Sequence, residues 1–293
     1  MKWSKQSWDN KLFSVIVYAM VVLLTIVCLI PFINILALSL SGAEAVNRGD
    51  VFLIPKDFSF SVYGSILGNK SYLRSMVISI LLTLVYVVVT VVMTICCAYP
   101  LSEPTLKGKK IIIPFIMFTM YFSGGMIPGY VLIHKLGLID SYWALIIPGA
   151  ISTYNMIVMR AFFGGIPMSL RESARIDGAG DFKILLKIVL PLSKPVLATI
   201  SLYYAVGRWN GMSDALLYIN DPRKKVLQIY LKQMIDSVAG FTEILAGVEA
   251  EVPPVLETVR SGALMVSLIP VLIIYPVLQK YFVKGAMIGS LKG

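Results

Sequence analysis

Six apolar runs, each long enough to cross a lipid bilayer as an α-helix, constrain the fold of this chain more than any other feature. A membrane-spanning helix needs about 20 apolar residues. A soluble domain carries about 25% charged residues, whereas this chain carries 14%. We therefore predict an all-α polytopic membrane protein with six transmembrane helices, at residues 12–40, 73–99, 111–133, 142–163, 188–209 and 259–282.

The distribution of positive charge predicts how these helices are oriented. Six spans place both chain termini on one side of the membrane, and that side receives 15 of the 26 Lys and Arg residues. Because Lys and Arg are enriched on the cytoplasmic side of membrane proteins, we place both termini in the cytoplasm. The net charge of +10 therefore follows membrane topology and does not indicate nucleic-acid binding.

The spans divide the chain into four regions. Residues 1–11 are predicted as a cytoplasmic N-terminus, residues 12–285 as the transmembrane domain, and residues 286–293 as a cytoplasmic tail. Within the domain, residues 212–258 form the longest polar stretch and are predicted as an extracytoplasmic loop. Gly124, Gly125 and Pro128 predict either close helix approach or a broken helix in the third span.

A charged segment, residues 170–195, interrupts the apolar pattern between the fourth and fifth spans. Its charges place it in water, while Leu170, Ala174, Ile176 and Ala179 predict a short apolar helix face. We also expect Ser169 to cap this helix and a glycine, Gly178, to end it. These features predict a short amphipathic helix at the membrane surface.

The cysteine, histidine and charged residues of the sequence are not spaced as catalytic or metal-binding sites require. Cys28, Cys96 and Cys97 lie in apolar runs without metal-binding spacing, and His134 has no acidic or cysteine neighbour in sequence. Residues 64–71 imitate a phosphate-binding loop but have three residues between the glycines instead of four. The spans also lack the ionisable groups that secondary transporters use to bind protons or sodium. We therefore expect a transport protein driven by a partner, not an enzyme.

The charged segment resembles the cytoplasmic signature loop of ABC importer permeases, written E-A-A, three residues, G, nine residues, I-x-L-P. The matching residues are Glu172, Ser173, Ala174, Gly178, Ile188, Leu190 and Pro191. Only Ser173 departs from the pattern, as a small residue where the family usually has Ala. An ordinary amphipathic loop helix is the alternative interpretation. We call residues 168–191 the coupling loop, after the role that the resemblance implies.

The resemblance implies that the coupling loop docks on a separate ATP-binding subunit. Carried over to this chain, Glu172 would pair with a basic residue of that subunit, and Ser173 and Ala174 would allow close approach. Gly178 would make the turn, and Pro191 would mark the entry to the fifth span. The chain itself would hold no cofactor, because ATP and Mg²⁺ would be bound by the partner subunits.

Three further segments resemble the carbohydrate-importer branch, the maltose-type second permease: residues 137–144, residues 159–163 with Ile166 and Pro167, and the pair Trp209-Asn210. The likeness covers residues 12–285 and implies a type I ABC importer permease fold in a bacterial cytoplasmic (inner) membrane. The implied partners are a second related permease, two ATP-binding subunits, an extracytoplasmic solute-binding protein and an oligosaccharide. Within the branch, the chain resembles permeases for acidic oligosaccharides, such as those derived from alginate.

The end of the fifth span supplies candidates for the sugar path: Tyr203, Tyr204, Arg208, Trp209 and Asn210. Aromatic faces stack on sugar rings, and Arg208 could meet a sugar carboxylate. An interfacial aromatic belt is the alternative for these residues, and a solvated loop is the alternative to a docking role for residues 212–258. At the level of function, a permease for another solute such as a peptide, or an ATP-independent transporter, stays open.

Overall fold

The computed structural model describes residues 8–236 and 255–290, and those residues are helical without a β-strand. The described residues divide into two compact units, residues 8–72 with 231–236 and 255–269, and residues 73–230 with 270–290. The α-helices are α1 Trp8–Ser39, α2 Ala43–Asn47, α3 Ser61–Gly68, α4 Lys70–Ser102, α5 Lys109–Tyr121, α6 Met126–Lys135, α7 Trp143–Ile146, α8 Thr153–Gly164, α9 Met168–Ile176, α10 Asp181–Ile184, α11 Leu190–Leu192, α12 Lys194–Trp209, α13 Ser213–Tyr218, α14 Leu227–Asp236 and α15 Leu256–Ser290.

The first unit is built around α1, α3 and the first part of α15. Val62 and Ile66 of α3 lie so close to α15 that a Cβ on Gly262 would meet their side chains at 2.5 and 2.8 Å. The Tyr72 hydroxyl donates to the carbonyl of Ala263 at 2.9 Å, within the same unit. Gly262 is therefore the residue that permits close packing here.

The second unit has two apolar cores along α4. One core joins α4 to α8, the end of the coupling loop and α12, and its fully buried members include Met156, Met159 and Ile200. The other joins α4 to α7, α13 and the start of α14, with Leu82, Leu145 and Ala215 buried in it. Consequently, α4 is the central helix of this unit.

Three helices are long and apolar enough to cross a membrane: Asn10–Ser39, Lys70–Ser102 and Leu256–Pro276. Two bent helix pairs are candidates for one span each, Lys109–Tyr121 with Met126–Lys135 (108°) and Asp181–Leu192 with Lys194–Trp209 (82°). The described residues therefore contain three to five candidate spans. The prediction of a multi-pass helical protein is confirmed, and the count of six is not.

The predicted fourth span is the one that forms neither a long helix nor a bent pair of helices among the candidate spans. In its place, α7 covers only Trp143–Ile146 and α8 begins at Thr153. Pro148 and Gly149 lie in the interval, where proline lacks an N–H donor and glycine weakens a helix. Ser152 then caps α8 by accepting from the N–H of Asn155. The prediction overlooked this Pro-Gly signal.

The third span breaks where its glycines predict a break. Helix α5 ends at Tyr121, and α6 begins after Gly125, which has a φ of 90°. That conformation is easily reached only by glycine. The expectation of a broken helix at Gly124 and Gly125 is thus confirmed.

Candidate functional site

The coupling loop opens with helix α9, Met168–Ile176. Pro167 stands at its N-cap and no side chain caps it, so the prediction that Ser169 caps the helix is wrong. Gly178 ends it with a φ of 78°, and its N–H donates to the carbonyl of Arg175 at 3.0 Å. The prediction that Gly178 makes a left-handed turn is confirmed.

The rest of the coupling loop returns the chain to the helical body. Helix α10 is followed by a π-helical turn, Leu185–Val189, and by the short α11, Leu190–Leu192. Ile188 and Leu190 are half-buried and pack against the core around α4, whereas Pro191 is exposed. A bend of 82° then leads into α12. The three residues thus occupy the junction at which the resemblance places them.

One face of the coupling loop packs inward and the other is open. Ala174 and Ala179 pack against the core, while Glu172 and Ser173 are exposed. Leu170 is 43% exposed and Ile176 is 86% exposed, so the four apolar residues predicted to share one helix face do not share it. Ile176 lies two residues after Ala174, about 200° around the helix, which turns it outward. Phe182 of α10 is 74% exposed as well.

Arg171 is the most deeply buried charged residue of the coupling loop, with 2% of its side chain exposed. Its Nη1 donates to Glu103 at 2.5 Å, and its Nη2 donates to the carbonyl of Phe163 at 2.6 Å. The guanidinium also lies 5.8 Å from the ring centre of Tyr99. The start of α9 is therefore fastened to the ends of both α4 and α8.

Glu103 extends this contact into a small network. Its second carboxylate oxygen accepts from Arg175 at 3.1 Å, and Arg175 also donates to Asp181 at 3.1 Å. The hydrogen bonds from Arg175 to these two carboxylates raise the pKa of its guanidinium. One carboxylate thus holds two arginines of α9, one turn apart, against the residue that follows α4.

Tyr204 and its neighbours on α4 and α8 show that part of the predicted sugar path is internal. The Tyr204 side chain is buried, and its hydroxyl lies 2.7 Å from that of Thr94. The same hydroxyl accepts from the backbone N–H of Ser152 at 3.0 Å. Tyr204 therefore satisfies a backbone donor exposed by the break in the fourth span.

Arg208 is also internal, with 4% of its side chain exposed. The Asp214 carboxylate accepts hydrogen bonds from Arg208 Nη1 at 2.5 Å and from Arg208 Nη2 at 3.0 Å. The same two nitrogens donate to the carbonyls of Leu145, at 3.2 Å, and Gly211, at 3.0 Å. Since Asp214 already supplies its negative partner, contact between Arg208 and a sugar carboxylate stays a prediction that would require displacement of Asp214.

The other three candidates on α12 differ in exposure. Tyr203 is 44% exposed and Asn210 is exposed, with the Asn210 amide donating to the carbonyl of Val206 at 3.0 Å. Trp209 is buried and lines an apolar pocket of about 60 Å³ with Thr83 and Ile274. Ligand pockets usually measure about 300–1,000 Å³. Of the predicted sugar path, only Tyr203 and Asn210 are open to the surface.

The described part of the predicted extracytoplasmic loop is tied to the segment before α7. The carboxylate of Asp140 accepts from the N–H groups of Asn220 and Asp221 at 2.6 and 2.8 Å, and Lys224 donates to the Asp140 carbonyl. Those two N–H donors hold the pKa of Asp140 below its usual value. Residues 237–254 of the predicted loop lie outside the described residues.

Comparison with known proteins agrees with the fold and with a role in transport. Residues 61–288 match the family described as "Binding-protein-dependent transport system inner membrane component". The polygalacturonan/rhamnogalacturonan transport system permease YtcP of Bacillus subtilis is 41% identical over 97% of this chain and 99% of its own. The galactooligosaccharide permease GanQ of Bacillus subtilis is 32% identical over 82% of this chain and 83% of its own.

A solved structure agrees as well. A chain of a bacterial ABC transporter involved in the import of the acidic polysaccharide alginate superposes with a TM-score of 0.87 and 37% identity, covering 94% of this chain and 99% of its own. The predicted type I permease fold and the resemblance to carbohydrate importer permeases are therefore confirmed. So is the expectation of a transport subunit that is not an enzyme, because the family consists of transport components. This chain belongs to the binding-protein-dependent transport system inner membrane components.

Proposed function

We propose that this chain is the permease subunit of an ATP-driven importer and that its coupling loop docks on an ATP-binding subunit. The supporting observation is the open surface of that loop, where Glu172, Ser173 and Ile176 of α9 are exposed, as is Phe182 of α10. Arg171 and Arg175 fasten the same helix to Glu103 from behind. A docking surface held rigidly in this way transmits the movement of a partner subunit to the helices, and it needs no catalytic groups to do so.

The assembly that we propose has the partners implied by the signature loop. A second permease completes the path, and two ATP-binding subunits bind ATP and Mg²⁺ and contact the coupling loops. A solute-binding protein delivers the substrate from outside, in keeping with the family's description as binding-protein-dependent. The charge distribution supports placing both termini and the coupling loop in the cytoplasm.

The proposed substrate is an oligosaccharide that carries carboxylates. Support comes from the relative named for polygalacturonan and rhamnogalacturonan, at 41% identity, and from the alginate importer chain, at 37%. The relative named for neutral galactooligosaccharides is less similar, at 32%. A peptide solute has no such support.

Uptake by the complete importer in vesicles tests the substrate. Labelled oligogalacturonides or alginate oligosaccharides should enter in an ATP-dependent manner, and unlabelled galactooligosaccharides should compete poorly. ATP-dependent uptake of neutral sugars alone would refute the acidic substrate while leaving the permease function intact. Uptake without ATP would refute the importer itself.

A charge reversal tests the docking surface. Glu172→Lys should release the ATP-binding subunits from the purified complex, because the variant places a cation where the resemblance predicts a basic partner residue. Asp177→Lys is the matched control, since it reverses a charge on the same loop at one of the unspecified positions of the motif. Equal retention of the ATP-binding subunits by both variants would contradict the proposal.

A further inference from the structure

A small folded segment follows the first candidate span and carries an unusual amount of exposed apolar surface. We call residues 42–60 the ledge. Val51 is buried with Ala45 and Val46 against Ala37 of α1, so the ledge packs on that helix. Four neighbouring side chains are instead more than 60% exposed: Phe52, Ile54, Phe58 and Phe60.

Hydrogen bonds fix the ledge to the end of α1. The N–H of Gly42 donates to the carbonyl of Lys56 at 3.0 Å, and the N–H of Ser59 donates to the carbonyl of Leu40 at 3.0 Å. The N–H of Lys56 donates to the Ser41 hydroxyl at 3.1 Å. The apolar side chains therefore project from an ordered scaffold.

One hydrogen bond fixes the position of the ledge along α1. The side-chain amide of Asn34 donates to the backbone carbonyl of Phe52 at 2.6 Å. Asn34 lies five residues before the end of the candidate span Asn10–Ser39, which is about 7.5 Å along the helix axis. The chain thus folds back from the end of the span until Phe52 lies beside Asn34.

The length of the candidate span Asn10–Ser39 indicates where Asn34 and Phe52 lie relative to the bilayer. Its 30 residues extend about 45 Å, whereas the hydrocarbon core is about 30 Å thick. A centred helix therefore leaves about 7.5 Å beyond the hydrocarbon at each end. Asn34 and Phe52 then lie at the boundary between acyl chains and headgroups.

The polar groups of the ledge form a separate cluster. Arg48 lies 3.2 Å from Asp50, 3.6 Å from Asp57 and 3.9 Å from Glu44. Their side chains are 44% to 76% exposed. Phe58 and Phe60 contact each other edge to face, with ring centres 4.9 Å apart. The ledge is accordingly amphipathic, and at Phe52 its apolar part adjoins α1, whose own apolar side chains are exposed.

We propose that the ledge is a membrane-surface anchor whose exposed apolar side chains enter the acyl boundary of the adjacent lipid leaflet. Continuity with α1 favours lipid as the occupant, because no part of the most apolar window of that helix is buried within the chain. An apolar ledge at this depth would fix how far α1 can slide through the bilayer.

Spin labels on the importer, purified with its partner subunits and reconstituted in lipid, test this proposal. A cysteine-free background with Cys28, Cys96 and Cys97 replaced receives a label at Ile54→Cys or, as the matched control, at the exposed Asn47→Cys. We expect the ratio of oxygen to water-soluble nickel-chelate accessibility to be several-fold higher at residue 54. Equal ratios would place the ledge in water, and shielding of residue 54 from both reagents would show that a partner protein covers it. Either result would overturn the proposal.

Discussion

Arg171 and Arg208 hold opposite ends of the interrupted fourth segment with nearly the same set of partners. Arg171 donates to the carbonyl of Phe163 in α8, and Arg208 donates to the carbonyl of Leu145 in α7. Each pairs with one carboxylate, and each guanidinium lies within 6 Å of a tyrosine ring centre. Both Nε atoms are buried without a hydrogen-bond partner among the described residues.

The difference lies in where the carboxylate comes from. Glu103 is 68 residues from Arg171 and directly follows α4, whereas Asp214 is only six residues from Arg208. The first contact therefore joins the coupling loop to the end of a separate helix, and the second closes a local turn over the break. The same chemistry fastens the coupling loop at one end and stabilises an irregular backbone at the other.

Removing Arg171 should have the largest effect. Arg171→Met leaves Glu103, only 12% exposed, without its buried partner, and breaking a buried pair costs about 3–5 kcal/mol. Thermal unfolding of the purified complex in detergent measures the loss. The control is Arg175→Met, which removes the other arginine of Glu103.

The control should lose less than about 1 kcal/mol, because Arg175 is 36% exposed and exposed pairs contribute little. Similar losses for the two variants would contradict the distinction between a buried and an open partner of Glu103.

Removing Arg208 should cost less than removing Arg171. Arg208→Met leaves Asp214 unpaired, but that side chain is 37% exposed and can be hydrated. We expect a loss of about 2–3 kcal/mol, chiefly from the hydrogen bonds to the two carbonyls. A larger loss than for Arg171→Met, by the same unfolding measurement, would reverse the comparison.

Two glycines near Arg208 test whether the turn between Arg208 and Asp214 is tightly packed. A Cβ at Gly211 would lie 2.8 Å from Cζ of Arg208, while nothing lies within 4 Å of one at Gly207. Gly211→Ala should cost about 1–3 kcal/mol through overpacking. Gly207→Ala, inside α12, should be neutral or stabilise by up to about 1 kcal/mol. Equal unfolding temperatures for the two variants would argue against a tight turn.

Gly178 tests the importance of backbone conformation in the coupling loop. A Cβ there would meet nothing within 4 Å, but the φ of 78° strains any other residue. Gly178→Ala should cost about 1 kcal/mol, and Gly180→Ala, where φ is −71°, should cost less. Binding of the ATP-binding subunits should weaken only for Gly178→Ala. Equal binding would show that the turn can be made without glycine.

The smallest effect on stability is expected at Asp140, and this effect depends on pH. Its pKa is lowered in the folded chain, so its stabilising contribution is present above the ordinary value of 3.8 and is lost as pH falls through the lowered pKa. Asp140→Asn keeps an acceptor oxygen but removes the titration. Unfolding measured during acidification should therefore show a steeper loss for the wild type than for the variant.

If the two acidification curves are parallel, Asp140 does not contribute to the pH dependence. The segment before α7 would then be held to residues 218–224 chiefly by Lys224 and by the hydrogen bond from the Asp140 N–H to the Tyr218 carbonyl.

Local signals in the sequence predicted local structure well. Gly125 and Gly178 both adopt positive φ where a break was expected, and the first, second and sixth apolar runs became long helices. The Pro148-Gly149 break was equally readable and was missed because the flanking residues are apolar. Ala174 and Ile176 were expected on one apolar face, but they point about 200° apart around α9, and only Ala174 packs inward.

The buried pairs lay beyond sequence reasoning. Glu103 and Arg171 are separated by 68 residues, and a single sequence carries no signal that joins them. Arg208 and Asp214 are close in sequence, but the chain leaves α12 between them, so helical spacing does not predict their contact. Arg208 was consequently interpreted as a residue that could reach substrate.

The central claim is that the coupling loop converts ATP hydrolysis into transport. The most direct test is the number of oligosaccharides imported per ATP hydrolysed by the complete importer in vesicles, for the wild type and for Glu172→Lys. If the ATP-binding subunits stay bound to the variant, we expect this ratio to fall sharply, because hydrolysis continues without uptake. If they are released, we expect uptake and hydrolysis to stop together. An unchanged ratio with unchanged uptake would contradict the central claim.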